Sequence, residues 1–322
     1  MPDRENLKIS VLVPTYNRAA LLDESLASLE QQTLARDAFE VLVIDDGSTD
    51  DTGAVCRRRQ GQLPLRYFRI GHSGISSAKS LGVFLASARL VLFFDDDDVA
   101  HADLLRQHVN AHQRYPDESA AVLGYTTWAP WMRISEVMHY VTNVGQLLFS
   151  YPGIRPGRPL DFTHFWGGRS SCKRSLLARH GVFRQEFGFI LEDIELGYRL
   201  KQFGLNVFYH PDAISFMNRP LTLEAFCQRC ERQGRAAFMF ARLHRDQAVD
   251  DYCRTIDADR HWEAAKARLP EAIAQATRIE RYLDGGADDA DLRTELHGLY
   301  KFVFDAYKYK GVVEAATEAA GS

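Results

Sequence analysis

The sequence predicts an α/β fold: a parallel sheet with helices on both faces, followed by a C-terminal helical extension. Three observations carry this. Short apolar runs alternate with segments of helical period through roughly the first 120 residues, as in strand–helix–strand units. Three of those runs end in polar clusters, Pro14-Thr-Tyr-Asn17, Asp45-Asp46 and Asp95 to Asp98. Those clusters fall at the carboxyl ends of strands, where open α/β sheets bind ligands. From Leu221 onward the chain is rich in Ala, Glu, Arg and Leu, with Gly/Asp breaks between Asp284 and Asp289, which reads as several helices.

The elements follow in order. Ile9 to Val13 is a β-branched run that Pro14 breaks; Leu21, Leu22, Ser25, Leu26 and Leu29 then repeat at helical spacing. Val41 to Ile44 is a second strand, after which Ser48 or Asp50 caps a helix reaching about Gln60. Leu65 to Ile70 is a third strand, Gly71-His-Ser-Gly74 a turn, and Ser76 to Ala88 a helix. Leu90 to Phe94 is a strand, and a helix spans about Ala102 to Tyr115. Val122 to Phe165 is dense in aromatic residues, including Trp128-Ala-Pro-Trp131. These residues close the core, line a pocket or meet a membrane surface. Trp166-Gly-Gly-Arg-Ser-Ser171 suits a loop approaching a ligand, Lys173 to His180 is helical, and Glu192 and Asp193 open another helix. Val207 to Tyr209 is a short strand.

Composition narrows the function. A net charge of −4 gives no basis for bulk nucleic-acid binding, and no apolar run approaches the roughly 18 residues of a membrane span. The charged start, Met1 to Asn6, lacks the apolar core of a secretory signal, and five scattered cysteines suit a reducing compartment. A cytoplasmic location is expected. Cys227 and Cys230 form a lone CxxC within a helical pattern, so they are read as helix-face residues.

The four aspartates carry the chemistry. Crowded carboxylates raise one another's pKa unless a cation or hydrogen bonds compensate. Oxygen-only ligands suit Mg2+ or Mn2+, with substrate phosphates completing the shell. The alternative is a solvated acidic turn in which Asp98 or Asp103 caps the next helix. No GxGxxG follows the first strand and no Walker A sequence occurs, against a dinucleotide enzyme or P-loop phosphotransferase.

Four ordered motifs then point to a family: Val11-Leu-Val-Pro-Thr-Tyr-Asn17, Val43-Ile-Asp-Asp-Gly-Ser-Thr-Asp50, Phe94-Asp-Asp-Asp-Asp98 and Glu192-Asp-Ile-Glu-Leu-Gly197. Over residues 8–215 the chain resembles the family 2 glycosyltransferases of the GT-A fold. The resemblance implies a Rossmann-like mixed, mostly parallel sheet in residues 1–219, with a donor half at about 8–120, an acceptor half at 121–219 and a helical region at 220–322. It implies inverting transfer of a sugar from a nucleotide diphosphate, commonly UDP, with Mn2+ or Mg2+. Pro14, Thr15, Tyr16 and Asn17 would line the nucleobase and ribose pocket, and Asp45, with Asp46 beside it, would accept from the base. Asp95 and Asp97 fill the DxD positions, Asp97 on the metal and Asp95 on the ribose or metal shell, flanked by Asp96. Lys79 would lie near the donor phosphates; Asp193 matches the catalytic base and Glu192 would help hold the acceptor. Trp128, Trp131, Trp166, Gly167 and Arg169 are expected at the acceptor site, which would take a glycan, a lipid-linked glycan or a small molecule.

One departure concerns the metal or phosphate side. Relatives often carry a His shortly after the last strand, where this chain has Phe216, Met217 or Asn218; His210 comes too early, and Arg219 offers an alternative positive charge. Peripheral contact with the inner membrane face and a homodimer through the C-terminal helices are open expectations. So are two other readings: a nucleotidyltransferase, which would show a Gly-rich basic loop after the first strand, and a non-catalytic protein on a degenerate fold.

Overall fold

The computed structural model describes residues 6–188 and 190–321. Residues 1–5, most of the charged start read above, lie outside them, as do Phe189 and Ser322. The first half is built as strand and helix in turn: β1 (Ile9–Thr15), α1 (Ala19–Glu30), β2 (Phe39–Asp45), α2 (Thr52–Arg59), β3 (Leu65–Arg69), α3 (Ile75–Leu85), β4 (Leu90–Phe93), β5 (Asp98–Ala100), α4 (Leu104–Arg114) and β6 (Ala120–Trp128). A short helix, α5 (Glu136–His139), runs into one π turn, Tyr140–Val144. Then come β7 (Pro159–Leu160), a 3-10 turn at Phe162–His164, β8 (Ser170–Lys173), α6 (Arg174–His180), α7 (Glu192–Lys201) and β9 (Asn206–Met217). The helical region is α8 (Leu223–His244), α9 (Gln247–Cys253), α10 (Ala258–Lys266), α11 (Leu269–Asp284) and α12 (Ala290–Gly321).

The strands form one mixed sheet in the order β3-β2-β1-β4-β8-β6-β9-β5, with β7 also on β9. β1 lies parallel between β2 and β4, and every residue of β1 and β2 is buried. Burial on both faces explains why these strands read as continuous apolar runs rather than alternating ones. Helix α1 turns Leu22, Leu26 and Leu29 onto the core that Val11, Val41 and Leu92 share on one face of the sheet. On the other face Leu12, Leu42 and Phe93 pack with Ala78, Leu177 and Leu196. The mixed α/β sheet and the C-terminal helices agree with expectation.

Two local readings change. Asp98 does not cap a helix; it opens β5, pairing antiparallel with Met217. The strand expected at Val207 to Tyr209 extends to Met217 because β9 runs parallel along the whole of β6. The Pro211 that hid this sits where the register shifts between Leu123 and Tyr125, so no ladder bond is lost at it.

The chain divides into two compact units. One takes the described residues up to Met132 together with Tyr151–Arg219; the other takes Arg133–Ser150 with the chain from Pro220 on. Residues 133–150, assigned above to the acceptor half, therefore pack with the C-terminal helices. Within that second unit α8 and α12 approach closely at Gly234 and Gly311, where any Cβ would strike the backbone of the opposing helix. Cys227 and Cys230 are buried free thiols on α8, as the helical spacing suggested. Among the described residues no helix is long and apolar enough to cross a membrane.

Candidate active site

The carboxyl ends of β1 and β2 make the first wall. Pro14 lies inside β1 opposite Ile44, and the rim starts at Thr15. Tyr16 is exposed and stacks on His72, ring centroids 4.3 Å apart. Asn17 takes a left-handed conformation, φ 51°; its amide donates to Ser48 Oγ and its side-chain oxygen accepts from the Thr49 amide. Asp45 is buried, and both its oxygens already accept, from the Ser48 amide at 2.7 Å and from the Tyr67 hydroxyl at 2.5 Å. Asp46 accepts from the amides of Ser73 and Gly74, fixing the entry to α3. Both aspartates thus order the loops around the rim.

The four aspartates leave β4 as a tight turn and are not solvated: Asp96, Asp97 and Asp98 are buried and Asp95 is partly so. Each has a defined partner. Thr15 Oγ1 donates to Asp96 Oδ2 at 2.7 Å. Arg18 Nη1 reaches Asp96 Oδ1 at 2.9 Å and Asp97 Oδ2 at 3.3 Å. Arg219 Nε donates to the same Asp97 Oδ2 at 2.6 Å. Arg169 Nη2 lies 3.3 Å from Asp95 Oδ2 and 3.8 Å from Asp98 Oδ2, which also accepts from Ser215 Oγ. Asp98 Oδ1 is buried with no hydrogen-bond donor among the described residues. Burial, opposed by Arg169 and reinforced by Asp95 and Asp97, pushes the Asp98 carboxyl up to about 8. Burial likewise lifts Asp96 to about 6 against the pull of Arg18.

The second carboxylate site opens α7. Leu191, at φ 63°, turns the chain so that Glu192 and Asp193 enter the helix facing inward. Asp193 Oδ2 accepts from the Gly167 amide at 2.6 Å and Oδ1 from the Ile194 amide at 2.8 Å. Burial and then the neighbouring Glu192 raise its carboxyl to about 6, against the lowering effect of Lys79 and the two amides. Lys79, on α3, does not reach toward open space; it is buried and donates to Glu192 Oε1 at 2.7 Å. Glu192 is equally buried and holds Lys79.

One turn joins the two sites. A Cβ on Gly167 would lie 2.9 Å from both Asp193 Cβ and Lys79 Nζ, and a Cβ on Gly168 would lie 1.9 Å from Asp95 Oδ2. Two glycines let this backbone pass between the Asp95 and Asp193 carboxylates, 98 positions apart by number, without displacing either side chain. Gly167 and Arg169 therefore sit with the carboxylates.

The tryptophans separate. Trp128 is buried at the end of β6 opposite Met217. Trp131 is 60% exposed, its Nε1 donating to Asn218 Oδ1 at 2.8 Å. Trp166 is partly buried, donates to the Thr163 carbonyl and packs edge-on against Tyr151. Asn218 donates its amide to the Asp97 carbonyl, while its side chain engages Trp131 and Glu24. His210 pairs with Gln107, away from these groups. Arg18 was missed by the sequence reading; a cation directly after Pro14-Thr-Tyr-Asn17, at a strand end neighbouring the aspartates, was the available signal.

Comparison with known proteins decides the family. The model described as glycosyl transferase family 2 matches residues 10–181. The chain belongs to this family. Validoxylamine A glucosyltransferase of Streptomyces hygroscopicus subsp. jinggangensis is 34% identical over 224 residues, covering 61% of this chain and 52% of that protein. Hyaluronan synthase of Pasteurella multocida is 26% identical over 63% of this chain and 24% of its own length. The chain thus spans about half or less of these relatives. In fold it is similar to a mannosyltransferase from Pyrobaculum calidifontis, solved with GDP-Man and Mn2+ (TM-score 0.62, 22% identity, 99% of this chain and 90% of that one). It is also similar to S. aureus TarS 1–349 in complex with UDP-GlcNAc (TM-score 0.56, 16% identity, 98% and 93%). This family 2 chain has the GT-A fold.

Proposed function

We propose that this protein is an inverting glycosyltransferase that moves a hexosyl group from a nucleotide-diphosphate sugar to a hydroxyl acceptor. The observation that carries the reading is the Gly167-Gly168 turn, which brings the partly buried Asp193 and the Asp95 to Asp98 cluster against one backbone segment. A single displacement needs such a pair: a base for the acceptor hydroxyl on one side and a donor site on the other. Asp193 is the base. Its raised proton affinity suits removal of a hydroxyl proton near neutral pH, worth roughly 10²–10⁴-fold.

Tyr16 and Thr15 face the donor, with the Tyr16–His72 stack as a platform for the nucleobase. A UDP-sugar is the proposed donor; similar folds are solved with GDP-Man and with UDP-GlcNAc, so both bases are tested. The donor set around Asp97 is all oxygen, which fits Mg2+ or Mn2+. Among the described residues no three His, Cys, Asp or Glu side chains gather as a metal site. Asp97 and Asp95 would hold the ion, with phosphate and water oxygens completing its shell. Once bound, it would neutralise charge on the departing diphosphate. The acceptor site includes Trp131, the exposed member of the aromatic pair. The reading places the protein in synthesis of a surface polysaccharide, glycoconjugate or glycosylated small molecule, in the cytoplasm.

The test is metal-dependent hydrolysis or transfer with a panel of UDP- and GDP-sugars, by the wild type and by Asp193→Asn. Activity that is lost in the variant is expected. Full transfer by Asp193→Asn would remove the base assignment.

A further inference from the structure

The three carboxylates Asp96, Asp97 and Asp98 are buried and Asp95 is partly so, and arginines stand against them. Arg18, Arg169 and Arg219 reach all four between them, and the pairing is uneven. Arg169 is largely buried, its side chain 11% exposed, and belongs to the frame. Arg18 and Arg219 have side chains 40% and 37% exposed, while the Asp97 carboxylate they share is 4% exposed. Two surface guanidiniums thus close over one oxygen, Asp97 Oδ2, at 3.3 and 2.6 Å.

A divalent cation bonds a carboxylate oxygen at about 2.0–2.1 Å for Mg2+. A guanidinium nitrogen at 2.6 Å from Oδ2 competes for that oxygen, and its charge repels an incoming cation. An ion would reach this atom only once the arginines let go. An exposed guanidinium leaves a carboxylate readily if another oxyanion is offered, and phosphate oxygens match its fork of donors.

We infer that Arg18 and Arg219 form a latch on Asp97 that trades the aspartate for the donor's diphosphate, so that divalent cation and nucleotide bind as one linked event. The inference rests on the donor-site reading above. It assigns to Arg219, which stands just after Asn218 at the end of β9, a diphosphate contact on the side where the expected histidine is missing. Linkage makes the coupling reciprocal: whatever factor the nucleotide adds to cation affinity, the cation adds to nucleotide affinity.

The experiment follows Mn2+ binding to the 322-residue chain by loss of the free-ion EPR signal, alone and with UDP or GDP. The wild type should bind Mn2+ at least about tenfold more tightly with the matching nucleotide. Arg219→Gln, and Arg18→Gln as a second variant, should each bind Mn2+ without nucleotide more tightly than the wild type, by about tenfold for Arg219→Gln, and so show a smaller coupling than the wild type. Variants with native circular dichroism that bind Mn2+ no better than the wild type would overturn the latch, as would a wild type indifferent to nucleotide. Gain of Mn2+ binding by Arg219→Gln in a protein that transfers no sugar would uphold the latch and sink the transferase reading. Sugar transfer with unchanged Mn2+ affinity in both variants would do the reverse.

Discussion

Lys79 Nζ lies 2.7 Å from Glu192 Oε1, and both side chains are buried. Taking two charges out of water is costly, and removing one partner leaves the other stranded. Lys79→Met is therefore expected to destabilise the fold by about 3–5 kcal/mol, and Lys79→Met/Glu192→Leu to recover most of that loss. Chemical denaturation of the two single variants and the double completes the cycle. A double variant as unstable as the sum of the singles would show that the pair does not act as a unit.

The same lysine bears on Asp193, the next residue after Glu192. Burial and Glu192 raise the Asp193 carboxyl to about 6, while Lys79 holds it from rising further. A base works ionised, so kcat/KM should fall about tenfold per pH unit below pH 6 and level off above it. Initial rates between pH 4.5 and 8.5 would show this limb. A profile flat down to pH 5 would separate Asp193 from proton removal.

Much of this was legible in the sequence, and the misses share a cause. Strands β1, β2 and β4 announced themselves because burial on both faces makes a strand an unbroken apolar run. Asp193 and the aspartate cluster were legible because carboxylates between apolar residues are unusual. What failed was pairing across long separations. Nothing near Lys79 in sequence says that Glu192 would claim it, nor that Arg18 and Arg219, 201 positions apart by number, would meet on Asp97. The length of β9 was hidden by Pro211, which only a register shift with β6 makes harmless.

A side chain at Gly168 meets Asp95, since its Cβ would stand 1.9 Å from Asp95 Oδ2. Gly168→Ala must push Asp95 or the turn aside, and a displacement of about 1 Å at a reacting centre costs on the order of 10²-fold in rate. Gly298→Ala is the control: it lies in α12 with nothing within 4 Å of the new Cβ. It should gain about 0.5–1 kcal/mol and leave kcat/KM unchanged. Equal activity in the two variants would remove Gly168 from the site.

His108 and His112 flank Ser171, their ring nitrogens 2.8 and 2.9 Å from its hydroxyl oxygen. One hydroxyl proton can serve only one ring, so the other ring must donate. Their second nitrogens find no partner among the described residues, and burial holds the rings down at about 3 and about 2. The unfolded chain takes up protons on both below pH 6.5; the folded chain does not until far lower. Their contribution is therefore full above pH 6.5 and lost as pH falls from there toward 3. Buried Asp98 and Asp96, lifted to about 8 and about 6, act in the opposite sense, so the test is a difference. Between pH 7 and pH 5 the wild type should lose roughly 4 kcal/mol relative to His108→Gln/His112→Gln, about 2 for each ring. Urea denaturation of both proteins at the two pH values measures it, and a gap that does not change with pH would mean the rings are not held neutral.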